Sequence, residues 1–156
     1  MAHKTSAGIL LYRKTPRGRL EVLLVHPGGP FWAGRDAGAW SIPKGEPVAG
    51  EEPLKAALRE FSEETGARPP EGPYLALSPI RLKSGKVVHA WAARGDFDPA
   101  ALRSNTFRLE WPPRSGRFQD FPEVDRAAWF ALPRAKEKAN PAYGPMLDEL
   151  AALMGG

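Results

Sequence analysis

Glu60, Glu63 and Glu64 stand at positions i, i+3 and i+4 of one segment. On a helix that spacing brings three carboxylates onto a single face. Like charges so close together oppose helix formation and ask for a counter-charge. Hard divalent cations such as Mg2+ or Mn2+ prefer carboxylate and carbonyl oxygen, and would supply it. By itself such a triplet also reads as a solvated acidic face. Glu51 and Arg59 would then be surface charges, and Lys44-Gly45 an ordinary turn.

The elements around the triplet bear on the choice. Glu52 to Thr65 reads as a helix: Pro53 suits its first turn, Leu54, Ala57, Leu58 and Phe61 form an apolar stripe, and Gly66 closes it. Upstream, Ser6–Tyr12 and Leu20–His26 are strand-like, and Thr15-Pro16-Arg17-Gly18 between them has the chemistry of a hairpin turn. A loop rich in Gly and aromatics leads to a short strand at Trp40–Ile42. Further strands are expected at Tyr74–Leu82, Lys86–Ala93, Asn105–Trp111 and Val124–Phe130. A closing helix is expected from Pro145 to Met154, with Met146, Leu147, Leu150 and Leu153 inward. The pattern is that of a mixed α/β fold, and strand order does not follow from it.

At 156 residues the chain fits one domain, 1–156. Its 42% hydrophobic and 26% charged residues are globular usage rather than disorder. With no cysteine, disulfide scaffolds, Cys-based zinc sites and thiol nucleophiles are excluded. No apolar run reaches the length of a membrane span, and MAHKTSAGILLYRK lacks the pattern of a signal peptide, so a cytoplasmic protein is expected. A net charge of +4 suits an anionic partner, whether nucleotide or nucleic acid.

The full register around the glutamates is GEPVAGEEPLKAALREFSEETGA, from Gly45 to Ala67. It matches G-x5-E-x7-R-E-U-x-E-E-x-G-U, with U apolar, at every defined position. This resembles the signature of the Nudix hydrolase family. The resemblance implies a metal-binding loop–helix–loop within an α/β/α sandwich built on a mixed β-sheet. It implies hydrolysis of a phosphoanhydride bond in a nucleoside diphosphate linked to another moiety. Glu60, Glu63 and Glu64 resemble the family's metal ligands for Mg2+ or Mn2+, with the Gly45 carbonyl as an added one. Arg59 and Glu51 look like the pair that orients the helix, and Phe61 and Ala67 like the apolar contacts that dock it. Glu60 is taken as the general base, with Glu123 as an alternative base or added ligand. Trp40-Ser41-Ile42-Pro43-Lys44-Gly45 is similar to the family's entry to the box, and the later Glu123-Val124 with Trp129-Phe130 resembles its late strand leading into a helix.

Substrate is less legible. The S-Q-P-W-P-F-P-x-S array associated with NADH cleavage and the coenzyme A pattern are absent. Leu82 to Gly85 occupy the place of the tyrosine common in dinucleoside polyphosphate hydrolases, and Pro79 falls short of the proline typical of ADP-ribose hydrolases. The leading expectation is a nucleoside triphosphate or dinucleoside polyphosphate. The alternatives are ADP-ribose or another nucleoside diphosphate sugar, an RNA 5' end, or a nucleotide-binding module without turnover. Phe31, Trp32 and Trp40 are candidates to stack on a base, although core packing is an equal or better reading of each. Lys44, Arg13 and Arg81 are candidates for phosphate contacts. His89 reads as a satisfied sheet histidine. Trp111–Glu123, with Arg114 and Arg117, reads as a long irregular loop that could wall a pocket. The oligomeric state is open between monomer and homodimer.

Overall fold

The computed structural model describes residues 4–155. Its spine is the pair β1 (Thr5–Lys14) and β2 (Leu20–Pro27), joined by a tight turn in which Gly18 N–H donates to the Thr15 carbonyl at 2.7 Å. β3 (Lys44–Gly45) is followed by α1 (Pro53–Thr65). Then come β4 (Leu75–Ala76), β5 (Ile80–Arg81) and β6 (Val87–Arg94). β7 (Thr106–Glu110) and β8 (Phe118–Pro122) precede β9 (Val124–Ala131), α2 (Leu132–Lys138) and α3 (Gly144–Leu153).

The main sheet runs β4-β6-β1-β2-β9, with β3 on β1 and β5 on β6. β1 is parallel to β6 and antiparallel to β2 and β3, so the sheet is mixed. β1 changes partner along one edge. Its far half pairs with β2, Tyr12 opposite Val22, while its near half pairs with β3, Ala7 opposite Gly45. The sheet forks there, and the fork delivers the Lys44-Gly45 backbone to the start of α1.

Alternation along β1 feeds two cores. Ile9 and Leu11 pack with Ala56, Ala57 and Phe61 of α1 on one face, and Leu10 packs with Tyr143, Leu147 and Leu150 on the other. That is the expected α/β/α sandwich. The inward stripe of α1 is Ala56, Ala57, Phe61 and Thr65, with Leu54 and Leu58 only half-buried, so the helix is turned slightly from the expected stripe. Its C-terminus is closed by Gly66 at φ 79, with its N–H on the Ser62 carbonyl. A Cβ there would lie 2.7 Å from the Arg103 Cβ, so both conformation and space require glycine.

Several expectations are corrected. Leu153 is exposed rather than inward, as α3 ends at it and the core side of its last turn is taken by Leu150. Trp40–Ile42 is not a strand but two isolated bridges, Val25 to Ser41 and Trp40 to Ala139. The Trp111–Glu123 segment is not irregular throughout. β7 and β8 form a separate two-stranded arm, and only the tip between them is loop. α2 was not read from periodicity, although the resemblance at Glu123–Phe130 implied a helix after that strand.

Candidate active site

Where β3 meets α1, a cleft of about 310 Å³ is lined by Ser6, Lys44, Gly45, Glu46, Glu60, Glu64, Lys86, Asn105 and Glu123. Four of its nine lining residues are acids. A roomier hollow of about 640 Å³ opens around Arg17, Arg19 and Arg134, and it holds no acid and none of the expected site residues. The acidic cleft is therefore the place where the chemistry read from sequence converges.

Gly45 packs directly on the Glu60 carboxyl. A Cβ at position 45 would lie 2.1 Å from its Cδ and 2.3 and 2.4 Å from its oxygens. Only glycine lets the carboxylate rest against the backbone there. Glu64 is tied from the other side, accepting the Lys44 backbone N–H at 3.3 Å. Burial pushes the Glu64 carboxyl up to about 8, and the Glu60 and Glu123 charges push the same way while the Lys44 ammonium opposes them. Burial, then Glu63, raises Glu60 as well, against Arg59. Lys44 is lowered by its own burial although Glu64 pulls it up. The buried Tyr143 hydroxyl has no hydrogen-bond partner among the described residues, and burial raises it, with Glu64 adding to the effect. Negative charge at this cleft is under-compensated by the protein itself.

Arg59 governs the rest of the cluster. Its Nε and one terminal nitrogen hold the Glu51 carboxylate at 2.9 and 3.0 Å, a bidentate pair. The other terminal nitrogen donates to Glu60 at 2.9 Å and to Glu63 at 2.8 Å. Glu63 therefore faces Arg59 and does not line the cleft. Among the described residues, no three acidic or imidazole side chains already stand as a finished ligand set.

The Arg59 guanidinium, with help from the Val48 N–H, holds Glu51 down at about 2, from an ordinary 4.5. A depressed carboxylate contributes stability that is complete above its unfolded value and lost as pH falls through the folded one. The melting-temperature gap between wild type and Glu51→Gln should accordingly be constant from neutrality to about pH 5 and shrink between about 4.5 and 2. A gap that persists unchanged to pH 2 would dismiss the pair as a source of stability.

The fold brings Lys44, Gly45, Glu60, Glu64 and Glu123 together, and the five residues expected to contact base or phosphate, Trp40, Arg13, Arg81, Phe31 and Trp32, are placed elsewhere. Trp40 is buried in the core and outside this cleft, although it borders a separate hollow with Asp36 and Arg126: its ring packs edge-on against His26 and Phe130 and its indole N–H donates to Asp36 at 2.8 Å. Arg13 lies toward the opposite end of β1, outside the cleft, paired with Glu21 and Asp96 and stacked 4.1 Å over Trp129. Arg81 is exposed on β5 and outside the cleft. Phe31 and Trp32 are exposed on the loop after β2, not in the cleft wall itself, with Phe31 at 61%. Phe31 meets Trp111 at the tip of the arm edge-on, 5.4 Å between centroids. His89 is half-buried on β6, opposite Ala7.

Ser6, Glu46, Lys86 and Asn105 were not foreseen. Glu46 adjoins Gly45 and could have been suspected. Ser6 and Lys86 enter through the β1–β6 pairing, which local spacing does not record.

The match to known proteins agrees with this geometry. A family model described as the NUDIX domain matches residues 2–150. The chain belongs to the Nudix family and carries the complete box of a Nudix pyrophosphohydrolase. Among solved structures, a C. elegans Ap4A hydrolase binary complex superposes with a TM-score of 0.67 at 24% identity, over 97% of this chain and 98% of that one. The NUDIX domain of Shewanella oneidensis NrtR, complexed with ADP ribose, gives 0.64 at 18%, over 100% and 90%. A mutT/nudix family protein from Listeria innocua gives 0.63 at 18%, over 99% and 96%. At such identities these likenesses speak for the fold. Nudix hydrolases generally use divalent metal ions.

Proposed function

We propose that this Nudix pyrophosphohydrolase cleaves the phosphoanhydride bond of a nucleoside triphosphate or a dinucleoside polyphosphate, as one domain acting in the cytoplasm. The observation that carries the reading is the cleft in which Glu60, Glu64 and Glu123 gather beside Gly45 with too little positive charge to balance them.

That donor set fits a hard divalent cation, Mg2+ or Mn2+. Glu60, Glu64, Glu123 and the Gly45 carbonyl would hold it, while Glu63 would first have to exchange Arg59 for the ion. Once bound, the ion would neutralise phosphoryl oxygens and favour deprotonation of water. The protein's own part is positional and proton-accepting. Glu60 takes the proton of the attacking water, the water oxygen bonds to phosphorus, and the anhydride P–O bond breaks toward the leaving phosphate. Arg59 fixes the direction of Glu60 through its grip on Glu51. Lys86, at the cleft and only 3.9 Å from Glu46, is the cation best placed to meet a phosphate.

The aromatic pair Phe31 and Trp111 supports a substrate that carries a base. The arm runs from Asn105, which lines the cleft, to Trp111, and six residue steps of extended chain span roughly 20 Å. A polyphosphate bridging two nucleosides could cross that distance. The C. elegans relative is an Ap4A hydrolase by its description, which favours the same class; the ADP-ribose complex of NrtR keeps nucleoside diphosphate sugars as the second reading.

The test is turnover of nucleoside triphosphates, diadenosine polyphosphates, ADP-ribose and triphosphorylated RNA with Mg2+ and with Mn2+, resolving products by chromatography. Metal-dependent cleavage of the first two classes is expected. Cleavage confined to ADP-ribose or to RNA would replace the substrate assignment. Nucleotide binding without any cleavage would make the protein a sensor module.

A further inference from the structure

His26 ends the apolar run of β2, and its side chain has 0% exposure. Nδ1 lies 2.8 Å from Oδ1 of Asp125 on β9, and Nε2 lies 2.6 Å from the carbonyl oxygen of Arg35. A carboxylate and a peptide carbonyl both accept and neither donates. A neutral imidazole has one N–H and one lone pair, so it would satisfy one contact and set lone pair against lone pair in the other. Two N–H donors satisfy both.

Charged groups of both signs surround the ring, so the assignment rests on the two acceptors it meets. From β9 come Asp125 and Arg126, the latter 3.7 Å from the same carboxylate oxygen. The loop contributes Asp36 beside the Arg35 carbonyl, and α2 contributes Lys138, which pairs with Asp36. Trp40 stands edge-on to the ring at 5.3 Å. Asp125 is the acid in direct contact with the imidazole.

We propose that His26 is a resident imidazolium and a positioning residue, latching the loop of residues 28–39 to β9 so that its aromatic side chains face the β7–β8 arm. The connection is short. Arg35 N–H donates to the Trp32 carbonyl at 3.0 Å, and Trp32 N–H to the Gly29 carbonyl at 3.3 Å. Holding the Arg35 carbonyl therefore holds the turn that carries Phe31 and Trp32. The same loop is stitched to the cleft, where Gly28 N–H donates to the Glu123 carbonyl at 3.0 Å. As a contribution to substrate selection, the latch rests on the reading that this aromatic wall receives a base. As a statement of charge and tethering, it stands without it.

The experiment has three readouts. In 15N-labelled protein near neutral pH, both His26 ring nitrogens should carry protons, with the signals assigned by their loss in His26→Gln. In Asp125→Asn the amide can donate to Nδ1, so Nδ1 should lose its proton while Nε2 keeps its own. In His26→Gln, the amides of the loop should exchange with solvent faster than in wild type while β1 and β6 stay protected. Its KM for a base-bearing substrate should rise roughly 10-fold or more, with KM for inorganic tripolyphosphate and kcat little changed. A bare ring nitrogen in the wild type, or loop exchange as slow in the variant as in the wild type, overturns the latch. If no substrate of the panel is turned over, the functional reading fails, and the first two readouts still decide the latch. If KM rises equally for tripolyphosphate, the role is structural and the selection claim falls.

Discussion

Glu60→Gln is expected to lower kcat by roughly 10²–10⁴-fold, the range for removing a positioned general base, without lowering the melting temperature of the metal-free protein. The two halves of this expectation have one cause. Burial and the charge of Glu63 raise the Glu60 carboxyl, so its ionised form is held at a cost to the fold. The neutral isostere removes that cost. Arg59 loses little, because it keeps both bonds to Glu51 and those to Glu63. Thermal denaturation and steady-state turnover of the same preparation separate the outcomes. A variant that turns over normally removes Glu60 from the reaction. A variant that loses activity and stability together makes it a structural residue.

Gly45→Ala should be nearly as damaging to turnover while leaving the fold standing. The backbone there does not need the left-handed region, so alanine is conformationally acceptable. What it meets is the far end of a side chain: the Glu60 carboxyl, at 2.1 to 2.4 Å from the added methyl. Ordinary van der Waals separation requires the carboxylate to withdraw by more than 1 Å, and a misplacement of about 1 Å is already worth on the order of 10²-fold in rate. Because both changes act through one carboxylate, Gly45→Ala combined with Glu60→Gln should be hardly slower than Glu60→Gln alone. Rate losses that multiply would show that Gly45 matters for another reason.

The contrast between these positions and the rest of the cleft explains what the sequence could reveal. The box is local: a glutamate triplet at helical spacing, an arginine eight residues after its glutamate, and two glycines that each relieve a close approach. All of that is written within Gly45 to Ala67 and needs no long-range pairing to be read. Phe61, Leu147 and Leu150 were likewise legible from periodicity. The misses are long-range or short-lived in sequence. α2, Leu-Pro-Arg-Ala-Lys-Glu-Lys, is two turns long with a single buried side chain, Ala135, so no period can emerge. Trp40 was open to two readings, and its place in the core depends on Asp36 and on α2. The partner of Arg13 was legible: in the register of the β1–β2 hairpin it stands directly opposite Glu21, a cross-strand pair of opposite charge.

The long parallel pairing of β1 with β6 has a consequence for when the cleft comes into being. Ser6 is brought opposite Val88, more than eighty positions later in the chain, and Lys86 arrives with the same strand. Closing so large a loop is entropically slow, whereas the box helix and its Arg59–Glu51 bonds can form among neighbours. During synthesis the acids of α1 exist first as a bare cluster. Ser6 and Lys86 meet them only when β6 has emerged, and Glu123 later still. The cleft is thus assembled from parts made at different times, well after the motif that defines it has emerged.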